Sequence, residues 1–338
     1  MLLTELNNRF NTKLLETIND PFDKIIPNYF IFQILIFILK SYSPNSDSYN
    51  NIITRTPIQT TDNLNLVMYN LKDLNQDLCE SVPTKLFFWF VDRIHESQLN
   101  QTYKDYFETM TDGRIEFFDN NILASKVNNL LRRIIARYDI KFHEFSIMTK
   151  TVTGCVSRFN LMPIHKFTRL TERPFRKANG TSVKVSYMYQ NGIFGYFNDN
   201  KYTLISFILQ NRDLSFNVLT GAIVTNLGDF IKMYMGKETI RPVSLIMPEI
   251  DAYSVLDLDS IFKEIGMEDM FKTFEHRNMF NGNVNLSQIL CHTQVILKGD
   301  HDVNKLTYPG ALEVTLSSTF QYFVLHIPSN VIILSGIM

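Results

Sequence analysis

From Leu2 to about Arg137, apolar residues recur at spacings of three and four, which is typical of helices with one buried face. Proline residues separate these segments, as expected where helices end. The pattern predicts helices over Leu2–Ile18, Ile31–Leu39, Leu64–Leu74, Phe87–Ile94 and Val127–Tyr138. The first part of the chain is therefore predicted to be rich in helix.

Beyond about Thr149, the apolar residues form short runs rich in β-branched and aromatic side chains, which favour strands. One helix is predicted among them, over Ser254–Ile265, with Gly266 as its C-terminal cap. The predicted strands are Val183–Tyr189, Tyr202–Leu209, Leu214–Leu219, Val243–Met247, Ile289–Leu297, Phe320–Ile327 and Val331–Leu334. Helices followed by strands, without strict alternation, indicate the α+β class. Because no repeat or linker divides the sequence, we predict one domain over residues 1–338.

The charge of the chain gives no reason to expect nucleic acid as a partner. The 33 Lys+Arg and 34 Asp+Glu leave a net charge of −1. Arg132, Arg133 and Arg137 form a basic stretch that could bind phosphate or a partner, but we favour a solvated helix face. The 31 Asn against 6 Ala are typical of an AT-rich genome, such as that of a virus.

The cysteines and the N-terminus favour a cytoplasmic protein. Cys79, Cys155 and Cys291 are odd in number and lack metal-ligand spacing, so we predict reduced, buried thiols and no metal. Met1–Leu15 lacks the apolar run of a signal peptide. The apolar stretch Tyr29–Leu39 is shorter than the roughly 20 residues of a membrane span, so we predict a buried helix there.

No catalytic or cofactor motif is present in the sequence. Glycine-rich nucleotide loops and the nucleophile elbow are missing. His95-Glu96 and His143-Glu144 each begin a zinc-protease motif, but neither has a second His four residues after the first. We therefore predict no catalytic residue, no cofactor and no metal site, although residues distant in sequence could still meet as a triad.

One segment, Thr171–Tyr196, carries a recognisable spacing of residues. It predicts a loop, a tight turn at Asn179-Gly180, a strand, and a second turn at Gly192. The spaced residues are Thr171, Phe175, Gly180, Val183, Val185, Met188, Gly192, Phe194 and Tyr196. This spacing resembles that of the serpin family of protease inhibitors.

Further stretches agree with this resemblance, strongly in the second half of the chain and more thinly in the first. They are Val243–Ile250, Leu258–Phe271, Phe320–Tyr322, Ile332–Gly336, Pro27 before the apolar helix, and Asn128 in a helix after Phe117-Phe118. The resemblance implies a serpin-like domain with a helix-rich N-terminal half followed by three mainly antiparallel β-sheets.

The resemblance also implies a loop whose composition departs from that of inhibitory serpins. In those proteins a protease cuts an exposed loop, which then inserts into a sheet as an extra strand. The start of that loop needs small, uncharged residues because alternate side chains become buried. The corresponding segment here is Gly299, Asp300, His301, Asp302, Val303, Asn304, Lys305, Leu306, Thr307, Tyr308, Pro309 and Gly310. Its charges oppose burial, and only 20 residues separate His292 from Glu313.

The polar residues that open this sheet in the family, its shutter, also differ here. Ile26 and Tyr29 stand where Ser residues are expected, and Gly154 or Cys155 stands where Asn is expected. His292 is the residual shutter residue, although a buried His bonded to backbone is at least as good an interpretation. Apolar packing in place of an opening hydrogen-bond network predicts a tighter core.

Our first hypothesis is a non-inhibitory serpin-fold protein of poxvirus type that acts as a protein-binding or structural module. Its partner would be a host or viral protein, or a second copy of the chain, with the Gly299–Leu312 loop as the default surface. The alternative is an inhibitor of serine or cysteine proteases whose short loop presents Lys305 as the basic bait residue. An enzyme on this scaffold is a third, less favoured class.

Overall fold

The computed structural model describes residues 2–18, 23–44, 46–79, 84–119, 122–135, 137, 140, 143–146, 148–272, 276–282, 284–301 and 307–338. Its helices are α1 (Leu2–Thr17), α2 (Asn28–Ser41), α3 (Asp47–Arg55), α4 (Thr61–Cys79), α5 (Gln101–Thr111), α6 (Leu123–Ile134), α7 (Leu227–Tyr234), α8 (Leu258–Glu264) and α9 (Asp269–Lys272). Its strands are β1 (Ile25–Ile26), β2 (Lys85–Asp92), β3 (Arg114–Phe118), β4 (Thr151–Asn160), β5 (Thr168–Arg176), β6 (Ser182–Asn198), β7 (Tyr202–Ile208), β8 (Leu214–Gly221), β9 (Thr239–Pro248), β10 (Ile250–Asp257), β11 (Gln288–Leu297), β12 (Leu312–Thr315), β13 (Gln321–His326) and β14 (Val331–Ile337).

The chain forms two compact units. The first consists of Met1–Thr17, Tyr29–Arg158 and Val255–Thr293, and the second of Ile18–Asn28, Phe159–Ser254 and Gln294–Met338. Most of the helices belong to the first unit, whereas α7 and the strands from β5 to β9 belong to the second. The single domain inferred from the sequence stays a prediction.

The first unit is built around α2, the apolar helix expected from the sequence. Every residue from Tyr29 to Leu39 is buried, because an all-round apolar helix can be satisfied only inside a core. The exception to its apolar character is Gln33, whose amide donates to Asn75 Oδ1 at 2.6 Å. The Tyr29 hydroxyl donates to the same oxygen at 3.2 Å. This shared acceptor satisfies polar groups that would otherwise be buried alone.

The strands of the first unit belong to a five-stranded sheet with the order β10-β11-β4-β2-β3. β2 pairs antiparallel with β4 and parallel with β3. The predicted helix over Phe87–Ile94 is wrong, because most of this segment is β2 and a short 3-10 helix follows from Arg93. Six consecutive residues of β2, Phe87–Asp92, are buried. A continuous apolar run fits a doubly covered strand as well as it fits a buried helix.

The second unit contains a nine-stranded set organised by β6. This strand has 17 residues and passes straight through Gly192, so the predicted second turn at Gly192 is wrong. Its first half pairs with β5, its last residues pair with β7, and its middle pairs with β9. The nine-stranded set therefore has two regions that share β6. These two regions and the five-stranded sheet agree with the three sheets expected from the resemblance. Helices with mainly antiparallel sheets confirm the α+β class.

Two predicted glycine positions have the backbone conformation that only glycine adopts readily. Gly180 has φ +82° in the turn before β6, and Gly266 has φ +88° after α8. The Gly266 N–H donates to the Lys263 carbonyl, and Met267 N–H donates to Phe262, which closes the helix end. The predicted helix over Ser254–Ile265 begins later than expected, at Leu258, because Ser254–Asp257 continues β10.

Candidate functional site

The start of the segment Gly299–Gly310, called the loop segment below, is fastened to the body of the second unit. The Gly299 N–H donates to Glu249 Oε1 at 3.0 Å. The Asp300 N–H donates to the Phe167 carbonyl at 2.8 Å, and the Arg169 N–H donates to the Asp300 carbonyl at 2.9 Å. The loop segment therefore leaves β11 as a backbone extension hydrogen-bonded to the start of β5.

Close packing at Gly299 depends on the absence of a side chain. A Cβ at Gly299 would lie 2.8 Å from the Arg169 nitrogen and 2.9 Å from its Cα, both of them backbone atoms. A methyl group there would force the two segments apart. Glycine thus serves here for close approach between backbones.

Charged side chains surround the same attachment point. Lys166 Nζ lies 2.7 Å from Asp300 Oδ2, and both side chains are exposed. Lys298 Nζ lies 2.6 Å from Asp251 Oδ2. Exposed pairs of this kind contribute about 0–1 kcal/mol each. Asp300, one of the charged residues singled out in the sequence, is therefore used at the surface rather than packed against apolar side chains.

The far end of the loop segment is also held in place. The Tyr308 N–H donates to Asn191 Oδ1 at 3.0 Å. Pro309 and Gly310 follow in a turn closed by the Ala311 N–H and the Tyr308 carbonyl at 3.3 Å, with φ +73° at Gly310. Proline followed by a positive-φ glycine is the composition of a type II turn. β12 then pairs in parallel with β9, which confirms a strand containing Glu313 after the loop.

The middle of the loop segment lies outside the described residues: Asp302, Val303, Asn304, Lys305 and Leu306. Among its remaining members, His301, Thr307 and Pro309 are exposed. The loop segment therefore offers accessible side chains on both sides of the portion that contains Lys305.

β4 and β11 lie side by side in the first unit, and we call the line between them the central seam. The Ser157 and Thr293 hydroxyls are 3.0 Å apart across it. Further back along both strands, a Cβ at Gly154 would lie 2.0 Å from the Leu290 carbonyl oxygen. Because residue numbers rise together across the central seam, the two strands are parallel. β4 and β11 are direct neighbours, so no other strand lies between them.

His292, the predicted residual shutter residue, is completely buried on β11 and contacts a second histidine. Its Nε2 lies 2.6 Å from His143 Nε2, with the rings edge to face at 4.8 Å between centroids. This contact can be a hydrogen bond only when one of the two nitrogens carries the shared proton. His143 is itself anchored by Asn128, which accepts from its N–H at 3.0 Å and donates to its carbonyl at 3.2 Å.

The other positions that the resemblance assigns to the shutter have structural roles in the fold. Ile26 is buried in β1, where it pairs with Ser335 of β14. Tyr29 belongs to the hydrogen bonds around Asn75. Cys155 and Cys291 are buried, free thiols. Burial raises the pKa of Cys155 well above its usual range and that of Cys291 to about 12.

A buried serine–histidine pair in the first unit was not predicted from the sequence. Ser41 Oγ lies 2.6 Å from His276 Nδ1, and both residues are fully enclosed. Burial lowers the pKa of His276 to about 3, so this imidazole is neutral at physiological pH. Because neither side chain reaches solvent, the pair can stabilise the fold but cannot meet a substrate. The separation of Ser41 and His276 in sequence leaves no local signal for it.

Three further features could give the described residues a function: a metal-binding cluster, a basic patch or a membrane span. Among the described residues, no group of three or more His, Cys, Asp or Glu side chains has the arrangement of a metal site. Arg132 and Arg133 lie on the exposed face of α6. In the part of the chain that the structure describes, no helix is long and apolar enough to span a membrane.

Solved structures of other proteins share this arrangement of helices and sheets. The chain is similar to a structure of native protease nexin-1 with heparin, with TM-score 0.82, 17% identity, and 99% of this chain and 98% of that chain covered. It is similar to thyroxine-binding globulin in complex with thyroxine, with TM-score 0.85, 13% identity, and coverage of 100% and 98%. It is also similar to mouse protein Z-dependent protease inhibitor, with TM-score 0.80, 14% identity, and coverage of 99% and 96%.

Family membership is evident from the amino-acid sequence itself. The family model described as serpin (serine protease inhibitor) matches residues 158–338, which is more than half of the chain. The chain therefore belongs to the serpin family. No curated protein sequence matches it. At identities of 13–17%, the structural neighbours show the fold and not a shared activity.

Proposed function

We propose that this serpin is a non-inhibitory protein-binding or structural module. The observation that carries the proposal is the attachment of Gly299 and Asp300 to Glu249, Phe167 and Arg169. A loop that inserts into the sheet after cleavage must first break this attachment. The three hydrogen bonds contribute about 1 kcal/mol each, so release of the loop start costs about 3 kcal/mol before any strand is formed.

The charges of the loop segment add to that cost. Insertion would bring residues near Asp300 and Asp302 into the middle of a sheet whose central strands are largely buried. Burying one unpaired carboxylate costs several kcal/mol. At the surface, Asp300 instead lies beside Lys166 in water, where neither group is desolvated.

The length of the loop segment also opposes insertion. After cleavage at Lys305, only the residues from Lys298 to Lys305 would stay joined to β11. A hairpin turn uses at least about two of them, which leaves a strand of about 20 Å at roughly 3.3 Å per residue. β11 has 10 residues and spans about 33 Å. The inserted piece would cover little more than half of the central seam.

One structural neighbour is a globulin that binds thyroxine, which supports a binding role for a protein with this fold. For this chain we propose a protein partner from a host or a virus, or a second copy of the chain, and no nucleic acid. The accessible parts of the loop segment are the proposed surface. A poxvirus-type source and a cytoplasmic location remain part of the proposal, on the basis of the Asn/Ala ratio and the cysteine pattern.

The alternative function is inhibition of a serine or cysteine protease through the short loop, with Lys305 as the bait residue. It is favoured by the names of two structural neighbours, protease nexin-1 and protein Z-dependent protease inhibitor. The two functions predict different fates of the protease after it cuts the loop. An inhibitor traps the protease, whereas a binding module is simply cut and the protease leaves.

The test is incubation of the full chain with trypsin-like serine proteases and with cysteine proteases, followed by electrophoresis in detergent and by thermal melting. We expect cleavage in the loop segment, no detergent-stable complex, and an unchanged or lower melting temperature. Lys305→Ala should remove any tryptic cut there, and Lys298→Ala is the matched control. A detergent-stable complex that needs Lys305, with a sharply raised melting temperature after cleavage, would establish the inhibitor instead.

A further inference from the structure

Two thiols face each other across the central seam. Ser157 and Thr293 fix the register, because their hydroxyls are 3.0 Å apart. Side chains alternate between the two faces of a strand, so Cys155 and Cys291, two residues earlier on β4 and β11, lie opposite each other on that same face. The close approach of Gly154 to Leu290 gives the same register independently.

The spacing of neighbouring strands suits a covalent bond between these thiols. Strands that pair lie about 4.7–4.9 Å apart, and the Cα atoms of a disulfide lie about 4.4–6.8 Å apart. Cys291 also belongs to the electrostatic environment of Cys155, since it contributes to raising the pKa of that thiol.

We propose that Cys155 and Cys291 form an intrachain disulfide under oxidising conditions and that this bond staples the central seam. The reaction is thiol–disulfide exchange with a small disulfide such as oxidised glutathione. One cysteine thiolate attacks the glutathione disulfide and releases one glutathione thiolate. The other cysteine then attacks the protein sulfur of the mixed disulfide and releases the second. The protein loses two protons and two electrons, and one glutathione disulfide takes them up to become two glutathiones.

The staple goes beyond the proposed function and does not depend on it, because it needs only that β4 and β11 be neighbours. The environment of the thiols determines how it forms. Both side chains are buried, and their pKa values are raised, so little thiolate exists at neutral pH while the sheet is closed. Oxidation is therefore slow and accelerates with alkaline pH or with opening of the central seam.

The experiment uses the full chain in glutathione buffers that range from reducing to oxidising at about pH 8. Remaining thiols are blocked under denaturing conditions, and the protein is digested and mapped by mass spectrometry. We expect the linked peptide containing Cys155 and Cys291 to accumulate with increasing oxidant and to disappear on reduction. Cys79→Ser should behave like the unsubstituted chain, whereas Cys291→Ser should give no such peptide and leave Cys155 free or joined to glutathione.

A second readout tests whether the bond closes the sheet. Oxidised chain should melt several degrees higher than reduced chain, since a cross-link between distant residues restricts the unfolded state. The shift should be absent in Cys155→Ser and Cys291→Ser. If these variants fail to fold, the peptide map of the unsubstituted chain decides whether the bond between Cys155 and Cys291 forms. The proposal would be overturned if both thiols reacted fully with the blocking reagent at every ratio of oxidised to reduced glutathione, because they would then have formed no bond. Linkage of either cysteine mainly to Cys79 would also overturn it.

Discussion

Replacement of Gly154 by alanine tests whether the central seam is as tightly closed as the structure indicates. A methyl group at Gly154 would lie 2.0 Å from the Leu290 carbonyl oxygen and 2.9 Å from its carbonyl carbon. Both are backbone atoms of β11, and neither can move aside as a flexible side chain could. Either the two strands separate at this point or the backbone of β4 rotates.

The magnitude can be worked from the required displacement. An ordinary contact between carbon and oxygen is close to 3.4 Å, so the strands must part by more than about 1 Å, whereas neighbouring residues hold them together. Overpacking a closed core typically costs about 1–3 kcal/mol, and each seam hydrogen bond that is lost adds about 1 kcal/mol. We expect Gly154→Ala to lower the free energy of unfolding by about 3 kcal/mol.

The assay is urea unfolding followed by circular dichroism and by tryptophan fluorescence, with Gly180→Ala as the control. Gly180 has φ +82° but nothing within 4 Å of an added Cβ, so its substitution strains only the turn and should cost about 1 kcal/mol. The slope with denaturant should stay the same in all three proteins. A Gly154→Ala variant no less stable than Gly180→Ala would refute the close approach of β4 and β11.

Two further predictions concern buried titratable groups. Burial lowers the pKa of His276 to about 3, so the folded state binds fewer protons than the unfolded chain, and stability present above about pH 6.5 declines as the pH falls towards 3. The free energy of unfolding should be about 2 kcal/mol lower at pH 5 than at pH 7. The His276→Gln variant should lose less stability over the same pH range, and an equal loss in the two proteins would contradict this reasoning. Burial raises the pKa of Asp259 to about 6, so its stabilising contribution is present at low pH and lost as the pH rises to 6. The Asp259→Asn variant keeps an oxygen that can accept from the Ile289 N–H. Its free energy of unfolding should rise by about 1–2 kcal/mol at pH 7, after allowance for solvent screening, and should change little at pH 4. Urea unfolding at both pH values measures the difference.

Hydrophobic periodicity predicted α1, α2, α4, α6 and α8 and half of the strands, because these elements have a regular apolar pattern. The predicted strands correspond to β6 to β9, β11, β13 and β14, with β7 one residue shorter than predicted at its end and β13 one residue shorter at each end. Two wrong predictions have identifiable physical reasons. β2 is covered on both faces, so its residues carry no period. Gly192 lies inside β6, where neighbouring side chains, rather than a turn, make use of its small size.

The candidate site could be predicted only in part. Its composition showed a charged loop start and a short connection, and Asp300 does lie in water at the surface. The attachment of that start to Phe167 and Arg169 has no sequence signal, because it uses backbone groups. The contact between His143 and His292 joins positions 149 residues apart in sequence. Only the fold brings such residues together.

Loop insertion would have to overcome two sets of contacts that share no residue. At the loop start, the hydrogen bonds of Gly299 and Asp300 must break, and at the central seam β4 must separate from β11. Energies of independent sites add. An inserted strand normally repays the parting of two strands by pairing with both, but a piece of about 20 Å leaves much of β11 without a partner. Each unpaired buried backbone group costs about 1–3 kcal/mol. On the proposed function we therefore expect the closed sheet to be the lower-energy state before and after cleavage, whereas a protease trap would require the opposite order after cleavage.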